Sequence, residues 1–286
     1  MNAHRRGLMG GDERVKKRYD SAPALIAAVD VIPGAYAMRL LIVNGNTTEA
    51  VTQTVMEVAR AAAAPDTQIS GVTASFGAAF ITSRSEAAIA EHATLAALAE
   101  HYQDFDAALI AVSLDTGLRA ARAALPIPVV GMTEAALYTA CMLGGQFGLV
   151  TFNHHCTSLY RERVEINGLL GRLAGIHTID ADFAKVYSDS KAYESRIIEG
   201  AHALIHGQGA EVIVLCGAQT AGVTGRIQDR VPVPMLDGVV CGTLQAEAMA
   251  RLRAAKPTTG SYSALTSAQL SSISPGLKSL LGRGRS

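Results

Sequence analysis

The feature that most constrains the fold is a strand–turn–helix pattern that runs through the chain twice. Short apolar runs such as RLLIVN and FGLVTF each end in a polar turn and lead into a helical periodicity. In the first helical stretch, Val51, Val55 and Val58 recur at the spacing of one helix face. Strands that alternate with helices predict an α/β fold with parallel sheets.

The two passes through this pattern are nearly equal in length. The closing strands LPIPVVG (125–131) and VPVPMLD (231–237) resemble each other, and the spans from opening turn to second proline, 44–128 and 153–234, are similar. We therefore predict two similar parallel-sheet lobes related by a pseudo-twofold axis, with the active-site cleft between them. The predicted boundaries are 38–132 plus 236–256 for the first lobe and 133–235 for the second.

The two ends of the chain lack this pattern. Residues 1–37 are basic at first and show no clear signal-peptide cleavage site, so we expect a disordered leader, with Met38 as an alternative start. Residues 257–286 are rich in Ser, Thr and Gly and predict a flexible tail.

Composition argues against several classes of partner. With 25 basic and 25 acidic residues, the net charge of +0 gives no electrostatic reason to expect nucleic acid or an anionic membrane. No apolar run reaches the roughly 18 residues that span a bilayer. The four cysteines form no CxxC pair, which is typical of a reduced, cytoplasmic protein. We expect a small-molecule substrate and a homo-oligomer.

Four polar turns follow the predicted strands, and in open parallel sheets the ligand lies outside the carboxyl ends of the strands. Each turn leads into a helix, whose free N–H groups favour an anion or a developing oxyanion. Helix capping is the alternative explanation for any single polar residue here. The turns are Asn44–Thr48, Ser113–Gly117, Thr151–His155 and Cys216–Gly222. The predicted substrate-binding residues are Asn44, Asn46, Thr47, Thr48, Thr116, Gly117, Thr151, His154, Gly217, Ala218, Gln219 and Thr220.

The histidines and the other cysteines carry weaker signals. His154 and His155 begin a predicted helix, where they are either acid–base groups or a surface pair. His202 and His206 have the spacing of zinc ligands, but no third ligand is near, so we predict a surface pair and no metal site. Three cysteines are predicted to be core residues: Cys141, Cys156 and Cys241.

Over about residues 38–252 the sequence resembles the aspartate/glutamate/hydantoin racemase superfamily, and within it the hydantoin and allantoin racemase branch. NGNTT (44–48) is similar to an Asn-Pro-Asn-Thr-Ser opening, and DTGL (115–118) to an Asp-Pro-Gly-Leu turn. The stretches 131–152 and 232–238 match two further motifs in order. The resemblance implies a cofactor-independent racemase or isomerase that removes the proton next to a carbonyl in a hydantoin, allantoin or amino-acid derivative.

That chemistry uses two cysteines on opposite faces of the substrate, and this chain departs from it at both places. The segment before Asp115 contains no thiol, and Cys216 lies one place early relative to the family motif. A one-residue shift in a strand reverses the direction of the side chain. The implied catalytic residues are Cys216, Ser113 and Asp115. If Cys216 is catalytic, the N–H groups of 217–220 would lower the pKa of its thiol; packing in the core is the alternative.

One cysteine cannot easily serve both faces of a substrate, so other activities stay open. A decarboxylase or lyase could use a single cysteine, because one thiol is enough to protonate an enolate. A ring-opening hydrolase with Cys216 as nucleophile is a second alternative. A catalytically inactive binding protein that keeps the cleft is a third.

Overall fold

The structure is a computed structural model that describes residues 37–181, 183–263 and 271–282. The predicted leader therefore lies, except for its last residue, outside the described residues. The strands are β1 (Arg39–Asn44), β2 (Gln68–Thr73), β3 (Ala107–Ile110), β4 (Val129–Gly131), β5 (Phe147–Phe152), β6 (Leu173–Ile179), β7 (Val212–Leu215) and β8 (Met235–Asp237). The helices are α1 (Glu49–Ala62), α2 (Arg84–His101), α3 (Leu118–Ala124), α4 (Met132–Leu143), α5 (His154–Ile166), α6 (Phe183–Ser188), α7 (Ser190–Gln208), α8 (Val223–Ile227), α9 (Gly238–Leu252) and α10 (Pro275–Leu281).

The eight strands form two four-stranded sheets with the same strand order, which confirms the predicted fold class. The first sheet runs β2-β1-β3-β4 and the second β6-β5-β7-β8, and every neighbouring pair is parallel. The inner strands β3, β5 and β7 are buried along their whole length. A strand covered by helices on both faces of its sheet needs apolar side chains throughout, which explains the continuous apolar runs in the sequence.

The edge strand β6 was not predicted from the sequence. Its side chains are mostly half-buried, and it contains His177 and Thr178 between its apolar residues. Because an edge strand buries less of its surface, it lacks the continuous apolar run that identifies the inner strands.

The last helix of each half packs on the other sheet. Helix α4 follows β4 of the first sheet but packs against β5 and β7, while α9 follows β8 of the second sheet and packs against β3. Gly242 permits this approach, because a Cβ there would lie 2.5 Å from a methyl carbon of Leu109. Glu247 links α9 to the segment that follows α1, because its carboxylate accepts a 2.9 Å hydrogen bond from the backbone N–H of Ala64. Because α4 and α9 each pack on the sheet of the other half, buried residues of both lobes form one shared hydrophobic core.

Part of the C-terminal stretch, for which composition predicts a flexible tail, is a helix. Leu277 and Leu280 of α10 are buried against the region of α2, and Ser274 caps the helix by accepting from the N–H of Leu277 at 3.3 Å. Apolar residues three apart bury one helix face even in a Ser-rich segment. Within this stretch, residues 264–270 and 283–286 lie outside the described residues. None of the helices in the described ranges has the length and apolarity that crossing a bilayer requires.

Candidate active site

A small cavity lies where turns of the two lobes face each other, beyond the carboxyl ends of the central strands. Its volume of about 30 Å³ is room for water but not for a ring-sized molecule. Four polar side chains line it: Asn46, Ser113, Tyr160 and Gln219. The other lining residues are Phe80, Ile81, Val112, Leu114, Gly217 and Ala218. Three of the four predicted turns, those after β1, β3 and β7, therefore contribute to one cavity, whereas the predicted turn Thr151–His155 does not line it.

Val112 and Gly217 occupy equivalent positions in this cavity. Ile110 ends β3 and Leu215 ends β7, and the N–H of the next residue in each case donates to the opening strand of the same half, from Ala111 to Val43 and from Cys216 to Val150. Val112 and Gly217 each lie two residues further along the chain, and both line the cavity. No thiol is present at either position.

Cys216 lies outside the cavity. Its side chain is 2% exposed, and its Sγ is 3.9 Å from the backbone oxygen of Val214. Burial raises the pKa of the Cys216 thiol, and Cys156 and Asp115 raise it further. The pKa is therefore not lowered as expected for a catalytic thiol, because burial penalises the charged thiolate. The one-residue shift therefore directs this side chain into the core, as strand geometry requires.

Ser113 is the predicted catalytic residue that lines the cavity. Its Oγ accepts a 2.7 Å hydrogen bond from the backbone N–H of Gly217 in the other lobe. The same hydroxyl donates weakly to Met132 Sδ at 3.9 Å, and the backbone oxygen of Ser113 accepts from the hydroxyl of Thr133. These contacts hold the serine at the interface of the two turns.

Asp115 is buried beside the cavity and organises the start of α4. Its two carboxylate oxygens accept from the backbone N–H of Thr133 at 3.0 Å and of Glu134 at 2.8 Å. Burial raises the pKa of the Asp115 carboxyl to about 7, against the lowering effect of those hydrogen bonds. Gly131 leaves room for this carboxylate, since a Cβ there would lie 2.5 Å from its carbon. Asp115 acts on the cavity through Thr133, which holds Ser113.

The second sheet has a comparable aspartate that the sequence analysis did not single out. Asp237, at the end of β8, accepts from the N–H of Val239 at 2.7 Å and of Gly222 at 2.6 Å. Burial raises the pKa of the Asp237 carboxyl. At each sheet, one buried aspartate therefore joins the turn after the third strand to the helix after the fourth strand.

The first turn is organised by its two asparagines. Asn44 is fully buried, and its Nδ2 donates to Asn46 Oδ1 at 2.9 Å and to Thr52 Oγ1 at 3.0 Å. Asn46 Oδ1 also accepts from the N–H of Thr48 at 2.9 Å. Because its oxygen is engaged twice, Asn46 presents its amide N–H₂ group as the part available to a ligand. Asn44 supports Asn46 and does not line the cavity.

Thr47 and Thr48 hold a segment that covers the cavity. The N–H of Thr47 donates to the backbone oxygen of Ala78 at 3.0 Å, and Thr48 Oγ1 donates to that of Ala79 at 2.7 Å. Phe80 and Ile81, which follow Ala79 in the chain, line the cavity. These threonines, predicted to bind substrate, instead attach the covering segment to the first turn.

Five other predicted substrate-binding residues do not line the cavity. Thr116 is buried, Gly117 begins α3 with φ +80°, and Thr151 is fully buried in β5. His154 is exposed at the start of α5. Thr220 Oγ1 donates to the backbone oxygen of Gly217 at 2.7 Å, which supports the fourth turn from behind. The structure thus brings together Asn46, Ser113, Gly217, Ala218 and Gln219.

Tyr160 is a cavity residue that the sequence analysis missed. It is buried in α5, where Cys156, Tyr160 and Val164 recur at the spacing of one inward helix face. Burial raises the pKa of the Tyr160 phenol, while polar contacts with the side chains of Ser113 and Thr151 lower it by less. The four-residue spacing of Cys156, Tyr160 and Val164 could have predicted that Tyr160 is buried. It could not have predicted that the Tyr160 side chain points towards the cavity.

The histidine pair and the other cysteines contribute nothing to the cavity. His202 and His206 stack with ring centroids 5.5 Å apart, and His202 Nε2 lies 3.1 Å from the backbone oxygen of Arg230. Within the described ranges, no group of three or more His, Cys, Asp or Glu side chains could hold a metal ion. Cys156 and Cys241 are buried, whereas Cys141 is half-buried.

Comparison with known proteins agrees with this architecture. The model of the family described as Asp/Glu/Hydantoin racemase matches residues 40–246. A hydantoin racemase of Pseudomonas sp. (strain NS671) is 30% identical over 216 residues, which cover 75% of this chain and 87% of that protein. The crystal structure of allantoin racemase from Pseudomonas fluorescens has a TM-score of 0.79 at 32% identity, covering 82% of this chain and all of that one.

A second solved structure extends the similarity. Allantoin racemase from Klebsiella pneumoniae has a TM-score of 0.80 at 28% identity and covers 84% of this chain and 98% of that one. The matches confirm the resemblance seen in the sequence motifs. This chain therefore belongs to the Asp/Glu/Hydantoin racemase family and is a racemase-family enzyme.

Proposed function

We propose that this enzyme interconverts the two configurations at a carbon next to a carbonyl in a neutral cyclic ureide, such as a hydantoin or allantoin. The observation that carries the proposal is the cavity in which equivalent turns of the two lobes face each other. The names of the related hydantoin and allantoin racemases support the same substrate class. No cofactor takes part in this proposal, because the step moves only a proton.

The charge of the cavity favours a neutral substrate. Among the described residues that line it, four are polar and none carries a formal charge. A carboxylate buried without a cationic partner costs free energy that a neutral ureide does not. We therefore favour a cyclic ureide over a free amino acid or an arylmalonate.

We assign the proton transfer to Ser113. We propose that Ser113 relays this proton: its Oγ accepts the proton from carbon as its own hydroxyl proton passes to a hydroxide ion from solvent, which becomes water, and the C–H electron pair enters the enolate. The N–H of Gly217 donates to that oxygen and fixes its position at the cavity. Donors from Asn46 and Gln219 would stabilise the enolate oxygen. A proton returned from water to either face of the planar enolate gives both configurations.

Substrate binding requires the cavity to open. A volume of about 30 Å³ does not hold a five-membered ring, so the covering residues Phe80 and Ile81 must move outward. They lie in the irregular segment between β2 and α2, which is attached to the first turn through the backbone oxygens of residues 78 and 79. We propose that this segment moves when substrate enters.

Proton NMR in deuterium oxide tests the function. With a 5-substituted hydantoin or allantoin we expect deuteration of the carbon next to the carbonyl together with loss of optical rotation. Carbon dioxide release from an arylmalonate would instead indicate a lyase, and new ring-opened resonances would indicate a hydrolase. Ligand binding without any turnover would identify an inactive binding protein. Each of these three results would overturn the racemase proposal.

We also propose that the first lobe comprises 38–132 plus 236–256 and the second 133–235. The packing of α9 on the first sheet supports this division.

We further propose a cytoplasmic homo-oligomer. All four cysteines are free thiols, and Tyr138, Met142 and Leu244 on the exchanged helices are exposed apolar residues of the kind found at interfaces. Light scattering after gel filtration would show a monomer if the assembly proposal is wrong.

A further inference from the structure

We propose that Gln219 determines which substrate this enzyme accepts, because its carboxamide hydrogen-bonds to the adjacent carbonyl and N–H groups of a cyclic ureide. The inference rests on the proposed function, since it concerns the same cavity. It adds a specific recognition residue and an orientation for the substrate.

Gln219 has a buried hydrogen-bond donor without a partner beside the cavity. The residue is 8% exposed and lines the cavity, and its buried Nε2 has no hydrogen-bond partner among the described residues. Buried amide groups in native proteins nearly always have a partner. A donor left without one at the wall of a cavity indicates that a ligand supplies the partner.

The absence of a side chain at Gly217 leaves the space that this carboxamide occupies. A Cβ at Gly217 would lie 2.4 Å from Gln219 Nε2 and 2.8 Å from its Cδ and Oε1. The side-chain amide therefore occupies the space that any side chain at position 217 would fill. Gly217 also has φ +113°, a conformation that side chains disfavour. Gly217 and Gln219 thus form a matched pair at the cavity wall.

The equivalent turn of the first lobe carries an apolar residue where the second lobe has Gln219. Leu114 lies four residues beyond the end of β3, and Gln219 lies four residues beyond the end of β7, so the two are equivalent in the two lobes. Both line the cavity, together with Val112. This asymmetry orients a substituted ureide: its polar edge faces Gln219 and its hydrocarbon substituent faces Leu114 and Val112.

The hydrogen-bonding groups at the polar wall match a ureide better than a carboxylate. A carboxamide both donates and accepts, so Gln219 can pair with a ring carbonyl and the neighbouring ring N–H. Asn46 adds a donor, since its oxygen already accepts from Asn44 and Thr48. A carboxylate accepts only, so it would leave the Gln219 oxygen without a donor.

Isothermal titration calorimetry with two ligands tests the inference without relying on turnover. The ligands are a 5-substituted hydantoin and the N-carbamoyl amino acid that results from opening the same ring. We expect the wild-type protein to bind the hydantoin more tightly than the open-chain carboxylate. In Gln219→Leu we expect hydantoin affinity to fall about tenfold or more, because the ring loses its amide partner.

Two matched variants separate recognition from folding. Gln245→Leu removes a carboxamide that donates to Ala135 O and Thr139 Oγ1 between α9 and α4, so it should lower the melting temperature and leave hydantoin affinity unchanged. Gly217→Ala should displace the Gln219 amide and weaken binding as Gln219→Leu does. Gly225→Ala, where nothing lies within 4 Å of the added methyl group, should not.

The outcomes distinguish this inference from the proposed function. If the wild-type protein binds hydantoin and Gln219→Leu binds it equally well, the role of Gln219 is refuted while the proposed function stands. If the wild-type protein binds the open-chain carboxylate more tightly than the hydantoin, the preference for a ureide is refuted. That preference is part of both the proposed function and the inference about Gln219. If hydantoin binding falls in Gln219→Leu but not in Gln245→Leu, the inference holds even where no racemisation is detected.

Discussion

The backbone N–H of Gly217 in one lobe donates to the hydroxyl oxygen of Ser113 in the other over 2.7 Å. The two residues belong to equivalent turns after β3 and β7, so this hydrogen bond joins the lobes at the cavity itself. It fixes the direction of the serine hydroxyl, which we assign to proton transfer.

Replacement of Ser113 by alanine should abolish most turnover. Ser113→Ala removes the proposed proton carrier and leaves the N–H of Gly217 without its partner, so the rate should fall by about a hundredfold or more. Exchange of the substrate proton, followed by NMR in deuterium oxide, measures the loss. Ser188→Ala, at an exposed serine on α6 that does not line the cavity, serves as the control. Full activity in Ser113→Ala would remove the serine from the mechanism.

Replacement of Tyr160 by phenylalanine separates the phenol group from the packing of its ring. Tyr160→Phe keeps the buried ring and removes the hydroxyl beside Ser113 and Thr151. Stability should change by no more than about 1 kcal/mol, because only a hydroxyl is lost. Turnover should fall about tenfold, since the cavity loses one of its four polar groups. Steady-state kinetics measures the effect, and Tyr138→Phe on the exposed face of α4 should leave kcat unchanged.

Cys216 should react slowly with iodoacetamide in the folded protein. Its thiol is buried and its pKa is raised by that burial, whereas Cys141 is half-buried. Mass spectrometry of peptides taken over time should show Cys141 modified first. Cys216→Ala should lose about 1 kcal/mol of stability and keep its activity. If Cys216 is modified rapidly and a bound ligand prevents this modification, the thiol lies in the catalytic site after all.

The stability of the protein should decrease as the pH rises from 3.8 to about 7. Burial raises the pKa of the Asp115 carboxyl from 3.8 to about 7, so between these values the folded state holds a proton that the unfolded state has released. Each rise in pH across this window therefore favours unfolding. Asp237, whose pKa burial also raises, acts in the same direction.

Urea denaturation at several pH values within this window measures the effect. Asp115→Asn removes the titrating group while keeping an oxygen that can accept a hydrogen bond, so its stability should depend less steeply on pH. An unchanged slope in Asp115→Asn would show that Asp115 is ionised throughout the window in the folded protein.

A smaller side chain at position 80 should speed ligand association. Phe80 is half-buried and lines the cavity from the covering segment. Phe80→Ala opens that side, so hydantoin should associate faster while the donors on the opposite turns are unchanged. Stopped-flow measurement gives the association rate, and Phe76→Ala, on the same segment but outside the cavity, is the control. Equal rates in wild type and Phe80→Ala would place the path of the ligand elsewhere.

The architecture could be predicted from the sequence because it follows from local patterns. Continuous apolar runs marked the inner strands, and the repeated proline motif at 125–131 and 231–237 marked the two halves. The turns that border the cavity were also predictable, since polar residues follow each inner strand. The edge strand β6 escaped because its half-buried side chains interrupt the apolar run.

The direction of individual side chains was decided only by the tertiary structure. Cys216 and Gly217 are neighbours in the chain, yet one packs in the core and the other lines the cavity, because side chains alternate where a strand ends. Tyr160 enters the cavity from a helix whose position depends on packing across the sheet. The free amide of Gln219 arises from the fold around Gly217. Local sequence determines which elements form, whereas long-range packing determines which of their atoms a ligand meets.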